Sequence, residues 1–428
     1  MAFISNGFRR LLVAVVAALL CSATLAQERG ALALDEALRI AEERSQQLHA
    51  DDSAAHAARE MAVSAAEAPD PVLTASINNL PINGPDQFSL SRDFMTMRSL
   101  ALSRQLTRQD KRDARAARYE READVAEANR TVALADLQRD TATVWLERYY
   151  RERMQEVLTS QRDQAMLQVE AAELAYRSGV GAQSDVFAAR ASVAAIEDRL
   201  AAALRDLDVA TIRLARWIGG AADRPLGTLP SMAAVSLTAA DLDGELAHHP
   251  EIGLMLKQEE VARADAEIAR TEKRSDWTVE VMYSQRGPGL SNMMSLNVSK
   301  PIQWRERERQ GRVFAARLAT AEQMRAERVE ETRAHVADAR ALLQQWQANR
   351  RRLDRYASLL MPLTTERTTA ATTAYRGRTG SLSAVLDARV GEIDARASYV
   401  ELEMETASLW AELNYLVPAG RQAAHEHE

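Results

Sequence analysis

The feature that most constrains this chain is a run of about 70 residues, 108–178, that contains neither glycine nor proline. These are the two residues that most readily interrupt an α-helix. A helix of that length would measure about 100 Å at 1.5 Å per residue, well beyond the helices of ordinary globular domains. A second such run covers 312–361. The sequence therefore predicts a chain built around very long helices.

Composition and apolar spacing both favour helices that pack as coiled coils. Hydrophobic residues make up 46% of the chain and charged residues 27%, but aromatic residues only 5%, which is typical of long helices. The predicted seam of the second helix contains Ala339, Trp346, Leu353 and Leu360, each seven residues from the next, with Leu342 or Leu343 and Tyr356 between them. This heptad spacing indicates coiled-coil packing. A cytosolic coiled coil would share it, but would not account for the export signal and strands described next.

The two long helices belong to two copies of one pattern. Eight identities fall within sixteen positions, and each pair is separated by 199 residues. The matched residues are Ala175-Tyr176-Arg177, Gly181, Ser184, Val186, Ala189 and Arg190 in the first copy and Ala374-Tyr375-Arg376, Gly380, Ser383, Val385, Ala388 and Arg389 in the second. The segments 34–38 and 242–246 also resemble each other. Such self-similarity predicts a duplicated structural unit.

Each predicted repeat contains short helices, a β-hairpin, a long helix, a tight turn around the Tyr/Gly motif and a returning helix. The predicted segments are a cleaved signal peptide, 1–26; a first repeat, 27–220, with a β-hairpin at about 72–106, a long helix at 108–178 and a return helix at 183–218; an equatorial linker, 221–241; a second repeat, 242–420, with a β-hairpin at about 277–304, a long helix at 305–376 and a return helix at 381–417; and a disordered tail, 421–428.

The predicted hairpins are segments in which apolar and polar residues alternate. In the second repeat Val279, Val281 and Tyr283 alternate with polar residues, and the first repeat shows a weaker version around 73–77 and 99–103. A period of two predicts strands with one apolar and one polar face. Short bands of this kind are typical of outer-membrane β-barrels, although a half-buried soluble sheet has the same alternation.

The N-terminus favours the membrane interpretation of these strands. Two arginines precede an apolar run, 11–20, and small residues lead up to Ala26, as in a secretory signal peptide cleaved after that residue. The run is short for a membrane-spanning helix. With export predicted, Trp277 and Trp304 at the ends of their strands become candidate membrane-interface anchors.

The sequence gives little support for several other classes of protein. The net charge of −7 gives no electrostatic basis for binding nucleic acid. The single cysteine, Cys21, lies inside the signal, where Leu20 before it fits poorly with lipoprotein acylation, so the mature chain has no thiol for disulfides or metal ligation. Phosphate-binding loops and zinc motifs are also absent from the sequence. We therefore predict no enzyme, no cofactor and no resident metal.

The scattered histidines and methionines are candidate metal ligands, but each has a more ordinary role. The tail 425–428 reads His-Glu-His-Glu and is expected to be solvated and disordered. His248 and His249 are expected on a surface. The methionines near the strands, Met95, Met97, Met293 and Met294, are expected to pack in loops or face lipid.

Four strands per chain cannot close a barrel. An open sheet edge in lipid leaves backbone groups unpaired at a cost of several kcal/mol each, and the smallest bacterial barrels have about eight strands. Identical copies must therefore pool strands. Two copies would make a small barrel filled by side chains, and three would make one of about twelve strands with room for a lumen.

The chain resembles TolC-like outer-membrane efflux factors over nearly its whole mature length. The resemblance rests on the duplication, the opening at 34–38, the turn motifs at 176–181 and 375–380, and the closing segment at 413–416. This resemblance implies a homotrimer with a twelve-stranded transmembrane β-barrel and a periplasmic α-barrel of long helical hairpins. It also implies outer-membrane lipid, a periplasmic adaptor protein and an inner-membrane RND-type transporter as partners.

Three further segments, 69–81, 92–98 and 111–115, resemble the heavy-metal branch of that family. Members of this branch serve pumps for cobalt, zinc and cadmium or for copper and silver. The alternative cargo for such a duct is a drug or a secreted protein. The alternative of another class is a periplasmic coiled-coil scaffold without a pore.

The resemblance also places a periplasmic gate at the two turns, with Asp185 and Asp387 as its acidic residues and Arg378 as the candidate partner of Asp185. A ring of carboxylates around a narrow axis favours cations. The sequence departs from the best-known members of the family, because Ala384 stands in place of a second acid and Gly380 in place of the gate arginine.

Each gate residue also has an ordinary structural interpretation. Asp185 could cap the helix that follows Gly181, and Ser184 and Ser383 could cap equally well. Asp387 could be a solvated surface acid.

Overall fold

The structure is a computed structural model that describes residues 30–235 and 249–418. The predicted signal peptide with Cys21, the repeat opening at 242–246 and the C-terminal tail lie outside these residues. The helices are α1 Leu34–Arg44, α2 Gln46–Ala66, α3 Gln109–Arg177, α4 Gln183–Ile218, α5 Pro250–Thr271, α6 Gln310–Arg355, α7 Met361–Arg376 and α8 Leu382–Asn414. The strands are β1 Val72–Asn78, β2 Met97–Leu106, β3 Trp277–Gln285 and β4 Met293–Ser299. The prediction of a mainly helical chain with a small β part is confirmed.

The chain folds into two compact units. Within the described residues, the first contains 30–45, 134–235 and 338–418, and the second contains 46–133 and 249–337. Helix α3 contributes residues to both. None of the helices described combines the length and the apolar stretch needed to cross a bilayer.

The first unit is a helical assembly with small residues at its seams. Along α4, Ala189, Ile196, Ala203 and Ala210 are buried and lie seven residues apart. This is the heptad spacing of a coiled coil, and alanine at the seam allows helix axes to approach closely. Trp145 of α3 is fully buried, and its indole N–H donates a 3.2 Å hydrogen bond to the Leu32 carbonyl.

A π-helical turn, Tyr356–Leu360, separates α6 from α7. It ends two residues before Pro362, which lacks an amide hydrogen and would crowd the carbonyl four residues earlier in a regular helix. The widened turn accommodates the proline, and helical structure continues to Arg376.

This turn changes the predicted seam. Ala339, Leu343 and Trp346 are buried as the heptad pattern predicts, but Leu360 is exposed. The prediction for Leu360 is wrong because the π turn adds a residue to the helical repeat and rotates the following side chains out of register. The regular helix also begins at Gln310, since residues 304–309 form turns.

The second unit contains the sheet together with flanking helices that are joined by charged pairs. The ammonium of Lys111, at the start of α3, lies 2.9 Å from a carboxylate oxygen of Asp276, just before β3, and both side chains are buried. Glu259 of α5 is also buried, and the Arg328 guanidinium of α6 donates to it at 3.0 Å. These pairs tie the helices to each other and to the base of the sheet.

Candidate site at the sheet face and the paired helical turns

All four strands form one antiparallel sheet in the order β1-β2-β3-β4. Each hairpin pairs its own strands, and β2 pairs with β3 to join the two hairpins. Within the described residues, β1 and β4 therefore each have one unpaired edge.

The register places two neighbouring rows of apolar residues on one face of the sheet. One cross-strand row runs through Leu73, Leu102, Val281 and Leu296. Their exposed fractions are 65%, 52%, 44% and 68%, respectively. The adjacent row consists of Ala75, Leu100, Tyr283 and Met294. We call this surface the apolar sheet face.

The opposite face carries most of the polar residues of the sheet and is partly buried. The Asn78 amide donates to the Ser99 hydroxyl at 2.9 Å, and the Ser99 and Ser284 hydroxyls share a 2.8 Å hydrogen bond. Asn297 donates to Glu280 at 2.9 Å. A sheet in a water-soluble protein packs its apolar face on the core and leaves its polar face in water. This sheet has the reverse arrangement, which the sequence alternation alone could not decide.

The two tryptophans predicted as anchors lie at the same end of the β3–β4 hairpin. Trp277 begins β3 and pairs with Leu106 at the end of β2, and Trp304 follows β4. Their exposed fractions are 47% and 87%. The ammonium of Lys300 lies 5.0 Å from the centre of the Trp277 ring.

A separate candidate region, in the first unit, is the pair of turns that carry the duplicated motif. The Ala175 carbonyl accepts hydrogen bonds from the amides five and six residues later, both at 2.9 Å, and the Ala374 carbonyl accepts the equivalent pair at 2.9 and 3.1 Å. A Cβ atom on Gly181 would lie 3.0 Å from the Ala175 Cβ, and one on Gly380 equally close to the Ala374 Cβ. Glycine is therefore favoured at both positions, where a side chain would crowd the end of the long helix.

The two turns are brought together by a small apolar cluster. It contains side chains from both helical hairpins, and Tyr375 of the second motif packs against it, whereas Tyr176 is exposed. The buried members are Ala172, Val186, Ala189, Leu382 and Val385. Thr368 adds a hydrogen bond of 3.2 Å from its hydroxyl to the Ala388 carbonyl. Thr368 could not be predicted from the sequence, since nothing in its neighbourhood indicates a partner twenty residues away.

Asp185 lies in the first turn of α4 and is half-buried. Its carboxylate accepts a 3.3 Å hydrogen bond from the Ala182 amide, so it supports the helix start from the third position rather than as the N-cap residue. In the second repeat this capping falls to Ser381, whose hydroxyl accepts from the Ala384 amide at 3.2 Å. Ser383 instead shares a hydrogen bond with Ser381.

Arg378 and Asp387 are both exposed. Among the residues that the structure describes, Arg378 forms no ion pair with Asp185, and no basic side chain pairs with Asp387. Asp185, Arg378 and Asp387 therefore lie on two neighbouring hairpin ends without a salt bridge joining them within one chain.

Several solved structures of outer-membrane proteins are similar to this fold. The outer-membrane channel OprN matches with a TM-score of 0.76 and 16% identity, covering 91% of this chain and 90% of that one. This is the fold of the TolC-like outer-membrane channels. VceC, an outer-membrane protein of Vibrio cholerae, matches with a TM-score of 0.69 and 19% identity over 90% of this chain and 95% of its own.

The CmeC outer-membrane channel of Campylobacter jejuni matches with a TM-score of 0.73 and 13% identity, covering 92% of this chain and 89% of that one. At these identities the similarity to the TolC-like channels concerns the fold. No family model and no curated protein sequence matches this chain.

Proposed function

We propose that this chain is the outer-membrane channel subunit of a tripartite efflux pump. Three copies pool their sheets into a twelve-stranded barrel, and their helical hairpins form a periplasmic α-barrel that docks onto an adaptor protein and an inner-membrane RND-type transporter. The channel itself catalyses no reaction and uses no energy source, since the transporter drives the cargo.

The observation that carries this proposal is the apolar sheet face. A four-stranded sheet that exposes Leu73, Leu102, Val281 and Leu296 while satisfying its polar groups on the other face is suited to lipid outside and water inside. Its two unpaired edges require neighbouring copies in a membrane, because hydrocarbon offers backbone groups no hydrogen bonds. Trp277 and Trp304 at one end of the hairpin are suited to the membrane interface.

The proposed gate lies at the ends of the helical hairpins. Asp185 and Asp387, repeated in three copies around an axis, would form a constriction that favours cations. Because Arg378 does not pair with Asp185 within one chain, any latch between them must join different copies.

The proposed cargo is a heavy-metal cation of the cobalt, zinc and cadmium or copper and silver groups. The support for this cargo is the resemblance of 69–81, 92–98 and 111–115 to the heavy-metal branch. Drugs and secreted proteins are the competing cargoes.

Channel formation is tested with the full chain purified in detergent. We expect a trimer by mass measurement and discrete conductance steps in planar lipid bilayers. A monomer without conductance would overturn the channel proposal in favour of a scaffold.

Cargo is tested by growth of a deletion strain on a panel of metals and drugs, with the intact gene and an insertion-defective variant as complementation controls. We expect metal sensitivity that only the intact gene reverses. Sensitivity to drugs alone would overturn the proposed metal cargo without affecting the channel proposal.

The acidic gate is tested by Asp387→Ala, with Glu401→Ala on the same helix as a matched exposed control. Three unit charges around an aqueous axis contribute about 1 kcal/mol, so we expect the cation-over-anion permeability ratio to fall about fivefold. If Asp387→Ala and Glu401→Ala gave the same cation-over-anion permeability ratio, the proposed ring of Asp387 carboxylates would be excluded.

A further inference from the structure

Outside the sheet and the turns, two imidazoles and a carboxylate converge in the second unit. His249 immediately precedes α5, Glu251 lies in its first turn, and His335 belongs to α6. One potential ligand atom from each lies within 4.8 Å of the other two. His249 is buried, whereas His335 and Glu251 retain partial access to solvent.

The contacts within this cluster bring a ring nitrogen close to a carboxylate. The Nε2 of His335 lies 2.7 Å from a Glu251 carboxylate oxygen. That nitrogen is buried, yet it has no hydrogen bond of acceptable geometry. This short contact places a ring nitrogen and a carboxylate oxygen, both of them common ligands of transition metals, beside each other.

The imidazoles are held in place before any ion binds. Their ring centres are 4.7 Å apart with an angle of 29° between the planes. The His249 Nδ1 accepts a 3.3 Å hydrogen bond from the Glu251 amide. A fourth group, the Glu331 carboxylate one helical turn before His335, lies 3.6 Å from its Nε2.

We propose that His249, Glu251 and His335 bind a divalent transition-metal cation of the zinc class. Two imidazoles and one carboxylate are a common donor set for such ions. Metal–ligand distances of about 2.0–2.2 Å require donors about 3.3 Å apart, which side-chain rotation can reach from the spacing observed. Glu331 or water completes the coordination.

The bound cation would fasten the start of α5 to α6. Because an ion that binds only the folded state stabilises it by RT ln(1 + L/Kd), where L is the free ion concentration, the site would strengthen the packing between these two helices. This inference concerns a resident ion and does not depend on what the channel transports.

The test is zinc titration of the purified full-length oligomer by calorimetry. The parent protein carries His425→Gln and His427→Gln, because the tail could otherwise bind zinc. We expect one zinc ion per chain, no competition from magnesium, and a rise in Tm with zinc. Cobalt in place of zinc should give the visible absorption bands of a tetrahedral or five-coordinate site.

The variants His335→Gln and Glu251→Gln should each weaken zinc binding by at least about tenfold, since even partners outside the coordination sphere change affinity by 10–100-fold. The matched control is His56→Gln, because His56 lies on an exposed helical face of the same unit, 4.0 Å from Glu60.

Unchanged zinc affinity in both variants would overturn the proposal. So would a loss of Tm in His335→Gln that is the same with and without zinc, which would assign the cluster a packing role alone. Equal competition from magnesium would also overturn it, since it would indicate a nonspecific acidic surface.

Discussion

Gly179 and Arg378 occupy the same position in two copies of one turn, and both have left-handed backbones, with φ of 76° and 58°. Glycine adopts this conformation without steric penalty, whereas a residue with a Cβ atom is strained by about 1–2 kcal/mol. The second repeat thus keeps an arginine where its own geometry favours glycine.

Exchanging this arginine separates backbone strain from side-chain function. Arg378→Gly and Arg378→Ala both remove the guanidinium, but only the glycine relieves the strained backbone. We expect the glycine variant to be more stable than the alanine variant by about 1 kcal/mol in urea unfolding. Equal stabilities would contradict this account. A conductance change shared by both variants would report a gating role of the guanidinium.

The apolar sheet face leads to a prediction about neighbouring residues. Leu296→Arg places a charge on the apolar face, whereas Asn297→Arg places it on the polar face one residue later. Arginine on the lipid face near the membrane midplane costs about 2–4 kcal/mol. We expect Leu296→Arg to reduce the amount of assembled oligomer in membranes and Asn297→Arg to have a smaller effect, measured by gel electrophoresis without heating. A larger defect in Asn297→Arg would reverse the assignment of the faces.

Removing one partner of the buried pair Lys111–Asp276 should destabilise the fold, whereas replacing both partners by apolar residues should have a much smaller effect on the free energy of unfolding. Burial alone would raise the pKa of Asp276, but the Lys111 ammonium holds that pKa below its ordinary value. Asp276→Leu leaves a buried ammonium unpaired and should cost about 3–5 kcal/mol. The double variant with Lys111→Met should recover most of this loss in chemical denaturation. A double variant as unstable as the single one would show that the pair contributes more than charge compensation.

A pH dependence is expected at Glu412 in α8. Burial raises the pKa of this carboxyl, and the nearby Arg139 only partly opposes the effect. A raised pKa in the folded state means that the favourable contribution of the neutral carboxyl is present below its ordinary value of 4.5 and is lost as the pH rises through the folded value.

Glu412→Gln cannot ionise and should therefore avoid this loss. We expect its Tm to exceed that of the unchanged protein by an amount that increases from acid to neutral pH, with the exposed Glu401→Gln as control. A constant difference across the range would exclude ionisation of Glu412 as the cause.

Much of the fold could be predicted because its signals are local. Long stretches without glycine or proline predict long helices, and alternation over a few residues predicts strands. The orientation of the sheet could not be predicted this way, since alternation is the same whether the apolar face meets a core or lies exposed. The exposed fractions of Leu73 and Leu296 supply that information.

Features that depend on distant or competing groups were harder to predict. The π turn before Pro362 displaces Leu360 from the heptad seam, because the proline ring changes the helical repeat locally. His249 and His335 are 86 residues apart, and no spacing rule indicates that the packing of α5 on α6 brings them together. The pattern His-Pro-Glu at 249–251 gives only a weak indication of two of the three proposed metal ligands.

The unpaired edges of β1 and β4 make a newly synthesised chain prone to aggregation. If the chain assembles as proposed, each molecule carries two unpaired strand edges, among the residues described, until neighbouring copies arrive, and these edges lie next to an apolar surface that water disfavours. Productive association must therefore outpace indiscriminate strand pairing. The rate at which the cell supplies copies then becomes as important to a working product as the stability of the finished one.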